Sequence, residues 1–546
     1  MSCLVLFCTA LAYTQEALPV KELLVWQMHK IAGEERIADL QSNEDGPAFL
    51  HALEHNEVWM HEILDSGPVE NGAKVLQFLY EIWKSDPALV ANDIDRSMAT
   101  ACALAMGMRE LDATWMTQRH DWFRDSWDAG LLNSGYGDLN TFERRFIARG
   151  LQRPSWTTVD ALEYLNETIS VPRQQFAKTA WRSPYRGHNA FGDTVQGPTY
   201  YMPFKETWRS DAEMAVKVGG VCGSLSHVGA ASAIASGIPA LTMGEPGHCA
   251  YAVQTKPHVW QPAYSLSWKR GLHTTMTRNT WPSLELSQLA MADSSTAFLA
   301  GDARRKAFWL EEKGDVQSAD AAWQSACAKN PLDEMLWQEY ALFGTRNNWS
   351  RIGWIQFFQN LQTALLPEHP EPAWHLLSTH VFPRLLEDAE PAKYLQVFKI
   401  YIGALDGWGP SRWNIEGALD WAWDGSSSDA SKSTLLHTTL KTLINDSKLG
   451  PAMVAWSLAK VKGKPELEER FKRSLLEQAG GEGEGPSAVL AQLAKNMLPA
   501  AAEERDLDTF QRIGKTASAL YEPRQTLAEM NIEPFDGELL SSGGAL

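Results

Sequence analysis

The sequence predicts an α+β chain that is predominantly helical, with a small sheet-bearing core held between two helical regions. Three observations carry this. Apolar positions recur at helical spacing up to about residue 180 and again from about 286. Between these regions, Ser183 to Pro203 is rich in Gly, Pro, Asn and Tyr and reads as a loop. After the loop come a small-residue run opened by Gly219-Gly220-Val221-Cys222 and two short stretches, Ile238 to Met243 and His248 to Val253, that read as strands. At 546 residues, 44% hydrophobic and 21% charged, the chain is long enough for several cores and is composed like an ordinary globular protein.

The elements follow in order. Leu4 to Ala12 is an apolar run ending in an Ala-x-Ala-like site, which reads as the end of a secretory signal peptide over 1–14 and predicts an exported, periplasmic or extracellular protein. The run lacks a positively charged start, so an initiator further upstream, in a longer protein, is expected. Val20 to Ile31, Ala48 to Leu64, Ala73 to Trp83, Ile94 to Met108 and Thr141 to Arg149 predict the helices of an N-terminal domain over 15–182. The core is expected over 183–285. In the loop that leads into it, Tyr200, Tyr201 and Trp208 are candidates for a cleft wall or for simple packing.

From Cys222 to Ser236 the residues are small or moderately apolar, and Gly237 follows, which predicts a buried helix with a glycine cap. A cysteine in the first turn of such a helix meets unpaired N–H groups and the positive end of the dipole, both of which favour the thiolate. The same N–H groups, that of Cys222 included, suit an oxyanion hole for an acyl substrate. Glu245-Pro246-Gly247 reads as a turn, and His248 opens the second strand, where an imidazole could stand beside the sulfur as a general base. Cys249, next to His248, is expected on the opposite face, in the core.

This order of elements resembles the transglutaminase-like branch of the papain-type cysteine enzymes. Cys222, Gly237-Ile238-Pro239-Ala240, His248 and Trp260 stand where that pattern has its cysteine, its Gly-Ile-Pro-Ala-like segment, its histidine and the tryptophan before an acidic residue. The match covers roughly residues 210 to 270. It implies a transglutaminase-like core and a cysteine hydrolase or acyltransferase acting on amide bonds through a Cys222–His248 dyad and a thioester, with no metal or organic cofactor. The third member departs from the pattern, because no acidic residue occurs between Glu245 and Glu285. Tyr264 and Gln261 lie nearest the expected position, and either could hydrogen-bond an imidazole without supplying a carboxylate. The missing acid motivates the alternative, a non-catalytic scaffold that binds peptide or glycan.

From about 286 helices return, expected to fill 286–535 with a tail over 536–546. Gly314-Asp315, Ala319, Trp323, Ala326 and Asn330-Pro331 resemble a tetratricopeptide hairpin, in which small residues permit close helix approach and proline stops the second helix. Leu336 to Phe343, Glu371 to Leu386, Ala392 to Leu405, Thr434 to Asn445 and Pro451 to Lys460 are read as further helices, and such an array is a surface for a protein partner. Gly480 to Pro486 reads as an acidic linker.

A net charge of −18 and the lack of any basic run argue against nucleic acid and anionic membrane as partners. No later segment is long and apolar enough for a membrane span. A peptide or protein substrate, cell-wall or glycan-associated, fits the thiol chemistry. The 23 tryptophans spread from Trp26 to Trp456 read as helix-packing anchors rather than one binding platform. Cys102, Cys222, Cys249 and Cys327 show no metal-binding spacing. A competing motif, His51-Ala52-Leu53-Glu54-His55, spells the inverted zinc-peptidase signature, with His61, Glu57 and Glu62 nearby, although a solvent-facing His/Glu helix face explains it equally.

Overall fold

A computed structural model describes residues 18–195, 197–204, 208–245, 248–263, 271–272, 274, 276–385, 416–443 and 449–479. The signal-like run, Tyr264, the helix expected over Ala392 to Leu405, the Gly480 to Pro486 linker and the tail lie outside these residues. The chain divides into two compact units, Met1–Tyr340 and Ala341–Leu546. As the sequence predicts, it is predominantly helical α+β.

In the first unit, helices α1 (Val20–Ala32), α2 (Glu34–Ser42), α3 (Gly46–Glu54), α4 (Glu57–Asp65), α5 (Gly72–Ser85), α6 (Asp93–Met108), α7 (Ala113–Asp128), α8 (Thr141–Arg149) and α9 (Val159–Thr168) precede the sheet. Their starts are fixed by side chains that accept from the exposed first-turn N–H groups: Asn56 for α4, Asn71 for α5, Asn92 for α6, Asp112 for α7 and Thr158 for α9. Asn140 and Glu143 form a reciprocal capping box on α8. The helix expected from Ala48 to Leu64 is two helices, because Asn56 starts a new one just after His55 ends α3.

Next come α10 (Asp211–Val218) and α11 (Cys222–Ala235), then strands β1 (Ala240–Glu245), β2 (His248–Lys256), β3 (Val259–Ala263) and β4 (Gly271–Leu272). The strands form one antiparallel sheet in the order β3-β2-β1-β4. In β1 and β2, Gly244 faces Cys249 and Thr242 faces Tyr251. Helix α11 covers one face of the sheet. Its serines, alanines and glycine allow close approach, and Gly229 in particular lies flat against the ring of Tyr251. Tyr251 and Val253 join α11 in a continuous hydrophobic cluster that runs from Leu24 to Ala263, so the helices over 18–182 and the sheet share one core. The opposite face carries Leu241, Met243, Ala252 and Trp260, packed on Phe142 and Phe146 of α8 and on α12 (Trp281–Met291).

Helix α8 is buried along its whole length despite the sequence Thr-Phe-Glu-Arg-Arg-Phe-Ile-Ala-Arg. Its arginines find backbone carbonyls: Arg144 donates to Tyr136 O at 2.9 Å, and Arg145 donates to Ser66 O at 2.6 Å and Pro68 O at 2.7 Å. From α7, Arg119 donates to Thr157 O and Ile147 O. Buried guanidinium groups therefore tie loops to helix ends, where unpaired carbonyls need donors. Helices α13 (Ser294–Glu312) and α14 (Val316–Lys329) pack as a hairpin, with Gly314 at φ +79° in the turn and Ala319, Trp323 and Ala326 fully buried. Arg305 of α13 reaches Asp65 of α4 at 2.8 and 2.9 Å, and Asp65 also accepts from His61 at 2.7 Å.

The second unit, among the described residues, is helical: Arg351–Leu365, Pro370–Leu376 continued through a π-turn at Leu377–Val381 into Phe382–Leu385, then Glu416–Gly425, Asp429–Leu443, Leu449–Val461 and Pro465–Ala479. Tryptophans serve as packing anchors in both units, Trp59 and Trp323 in the first and Trp354 and Trp423 in the second. Among the described residues no helix is long and apolar enough to cross a membrane.

Candidate functional site

Cys222 is the first residue of α11 and is partly exposed. The chain reaches it through Gly219 at φ +88°, where a Cβ would stand 2.4 Å from Pro184 O, so the turn depends on glycine. The residue before Cys222 is Val221, whose side chain accepts nothing, and the first-turn N–H groups of α11 are left without the side-chain acceptor that α4 to α9 have. The loop after the N-terminal helices folds over this turn. Gly220 N donates to Pro184 O at 3.0 Å, Arg186 N donates to Gly220 O at 2.8 Å, and the Tyr201 hydroxyl donates to Gly219 O at 2.9 Å and shares a 2.8 Å hydrogen bond with Ser224 Oγ.

The second strand brings Cys249 to this site. Alternation along β2 places Cys249 on the same face as Tyr251 and Val253, the face that α11 covers. The Cys249 Sγ lies 3.9 Å from where a Cβ on Gly223 would stand, beside Cys222 at the start of α11. Burial pushes the Cys249 thiol up, the neighbouring Cys222 sulfur pushes it further, and the charge of Arg153 acts in the opposite direction. Gly244, opposite on β1, has no side chain to fill the space. This corrects the expectation that Cys249 is a core residue, since it is half-buried and stands at the start of α11. His248, one residue earlier, belongs to the face that carries Ala252 and Gln254, turned away from α11.

The remaining expected residues fall as follows. Gln261 pairs with Val253 and accepts a 2.8 Å hydrogen bond from the Thr255 hydroxyl. Its partner Val253 is five residues along β2 from His248, about 16 Å at the rise of a strand, too far for Gln261 to orient that imidazole, which corrects that expectation. Tyr264 lies outside the described residues. Trp260 sits on the other face and donates to Gln288 Oε1 at 3.0 Å. Tyr200 is buried and packs edge-on against Tyr201, and Trp208 packs on the cluster of Tyr200, Met214 and Val218, so both serve packing. By contrast, Trp181, Tyr185, Phe191 and Met202, in and beside the covering loop, are all exposed.

One group of residues was not foreseen. Behind the sheet, the buried carboxylate of Glu143 accepts from Gln254 at 3.0 Å and Gln288 at 3.1 Å, and lies 2.9 Å from His258 Nδ1. His258 occupies the β2–β3 turn at φ +58°, and the hydrogen bond to Glu143 raises its pKa against the opposing effect of burial. The signal in the sequence is Glu143 itself, an acid within a short segment whose neighbours Phe142 and Phe146 are apolar.

The zinc-peptidase motif does not assemble. His55 stands past the end of α3 and stacks on His51 at 3.9 Å, while Glu54 pairs with His29 at 3.0 Å. His61 is bound to Asp65 and stacks on Phe298. Among the described residues no group of three His, Cys, Asp or Glu side chains is placed to hold a metal ion.

Comparison with known proteins adds no relative: no protein-family model, no curated protein and no solved structure matches this chain.

Proposed function

We propose that this protein is a cysteine-dependent acyl-transfer enzyme of transglutaminase-like type, acting on amide bonds of a peptide or protein outside the cytoplasm. The observation that carries this reading is a partly exposed thiol, Cys222, at the first position of a buried helix whose N-terminal N–H groups have no side-chain cap. Cys222 attacks the carbonyl carbon, the first-turn N–H groups hold the oxyanion, and the collapse of the tetrahedral adduct expels the amine and leaves a thioester. Water as acceptor makes the reaction a hydrolysis, and an amine makes it a transfer. His248 is the residue proposed as base for the leaving proton; alternation puts it on the face of β2 opposite Cys249, so this role is the one that the His248→Ala substitution decides. The exposed Trp181, Tyr185, Phe191 and Met202 near the turn suit apolar side chains of a peptide.

A second reading has an observation of its own. The face of β2 turned to α11 presents Cys249 rather than His248, and this favours a scaffold that binds peptide or glycan without cleaving it. The α13–α14 hairpin is then a surface for a protein partner.

Turnover of a panel of peptide amides and activated esters separates the two. The enzyme reading expects turnover that is lost in Cys222→Ala and falls by about 10²–10⁴-fold in His248→Ala, the range for loss of a general base. Peptide binding without turnover, equal in the wild type and Cys222→Ala, establishes the scaffold. The pH profile of iodoacetamide alkylation at Cys222 tests the base on its own: reaction at pH 6 that collapses in His248→Ala supports the pair, and a profile unchanged by that substitution removes His248 from the mechanism.

A further inference from the structure

We infer that Cys222 and Cys249 form a redox-active dithiol that exchanges with low-molecular-weight disulfides of the glutathione class and closes reversibly into an intramolecular disulfide. Both are free, partly exposed thiols, and Cys249 Sγ reaches the start of α11 beside Cys222, 3.9 Å from where a Cβ on Gly223 would stand. The remaining cysteines of the described residues, Cys102 and Cys327, are buried on other helices. The contact is built by packing. Gly229 brings α11 flat onto Tyr251, and alternation then turns Cys249, two residues before Tyr251, to the same side near the helix start. Gly244, across from Cys249, and Gly223, next to Cys222, leave room for the sulfurs.

The two thiols differ in the way the exchange requires. Cys222 is the first residue of α11 and is partly exposed, and it attacks one sulfur of the small disulfide. That step forms a mixed disulfide on Cys222 and releases one small thiolate. Cys249, held as a thiol by burial and by its neighbour, then loses its proton to solvent and attacks Cys222 Sγ, expelling the second small thiol. The dithiol is oxidised by two electrons, and the small disulfide is reduced to two thiols. Closing the bond removes the Cys222 nucleophile, so the site is silent while oxidised and is restored by a reducing thiol.

The inference shares Cys222 with the proposed function, but its readout is a mass, so failed turnover and failed disulfide formation are separate results. The full chain is incubated with excess oxidised glutathione and mapped by mass spectrometry without reduction. The wild type is expected to give a peptide pair joined through Cys222 and Cys249, with no glutathione retained, and to regain Cys222 alkylation after dithiothreitol. Cys249→Ser is expected to stop at a stable glutathione adduct on Cys222. An adduct on wild-type Cys222 as stable as that on Cys249→Ser overturns the inference, as does absence of modification in both proteins. Rapid adduct formation on Cys249 in Cys222→Ser overturns the assigned order of attack.

Discussion

Replacing Gly229 by alanine tests the packing that sets the site. A Cβ at this position would stand 2.5 Å from Tyr251 Cζ, 2.6 Å from Cε1 and 3.0 Å from Cε2. Carbon atoms prefer about 3.5–4.0 Å, so the overlap is roughly 1 Å. The ring has no free path to yield. Tyr251 is fully buried, and its hydroxyl donates to Phe176 O at 2.7 Å. Moving the ring strands a buried hydroxyl, at about 1–3 kcal/mol. Moving the helix opens the sheet face, and overpacking of this kind costs about 1–3 kcal/mol. Alanine returns about 1 kcal/mol through its higher helix propensity, and the net is a destabilisation of about 1 kcal/mol. Cys102 reports it. That thiol is fully buried in the same hydrophobic cluster, with burial pushing it up to about 12, so it reacts only when the unit opens. Where opening is fast relative to labelling, about 1 kcal/mol raises the labelling rate of Cys102 about fivefold. In a Tyr251→Leu background the same substitution should lose most of its cost, a coupling of about 1 kcal/mol or more. Labelling in Gly229→Ala that is unchanged, or slower by about the fivefold that helix propensity alone supplies, would refute close packing of α11 on β2.

Three other predictions follow from buried polar groups. Asp65→Asn leaves the fully buried Arg305 without its main partner and should cost about 3 kcal/mol in urea unfolding; a loss below about 1 kcal/mol would show that Asp302, 2.7 Å from Arg305, suffices. The raised pKa of His258 means that the fold favours its protonated form, so this stabilisation is fully present below about pH 6.5 and is lost as pH rises through the raised value. His258→Gln should therefore flatten the change in unfolding midpoint between pH 6 and pH 8, and an identical change in both proteins would remove the Glu143 pair from the account. Tyr201→Phe deletes the hydroxyl that bonds Gly219 O and Ser224, and should raise limited proteolysis within residues 183–204 about thirtyfold, at about 1 kcal/mol for each of the two lost bonds; unchanged cleavage would show that the backbone bonds at Gly220 hold the loop by themselves.

The sequence by itself determined the local frame of the site. Small residues after Gly219-Gly220 predicted a helix from Cys222, and α11 runs Cys222–Ala235. Pattern and turn residues predicted the two strands, found at Ala240–Glu245 and His248–Lys256. These features are local, set by backbone preference and side-chain period. The same holds for α8, which spans Thr141–Arg149 as expected, whereas the helix expected over Ala48 to Leu64 failed because Asn56 caps a new start within it.

Only the tertiary structure decided which side chain of β2 meets Cys222. Ala250, Tyr251, Ala252 and Val253 are apolar on both faces because both faces of the sheet are covered, so alternation carries no polarity that would choose between His248 and Cys249. The choice came from Tyr251 fitting against Gly229, which turned Cys249 toward the helix. Likewise, Glu143 and His258 are 115 residues apart, and no local pattern links them. They meet because α8 packs behind the sheet, and a buried carboxylate there must find donors wherever the fold supplies them.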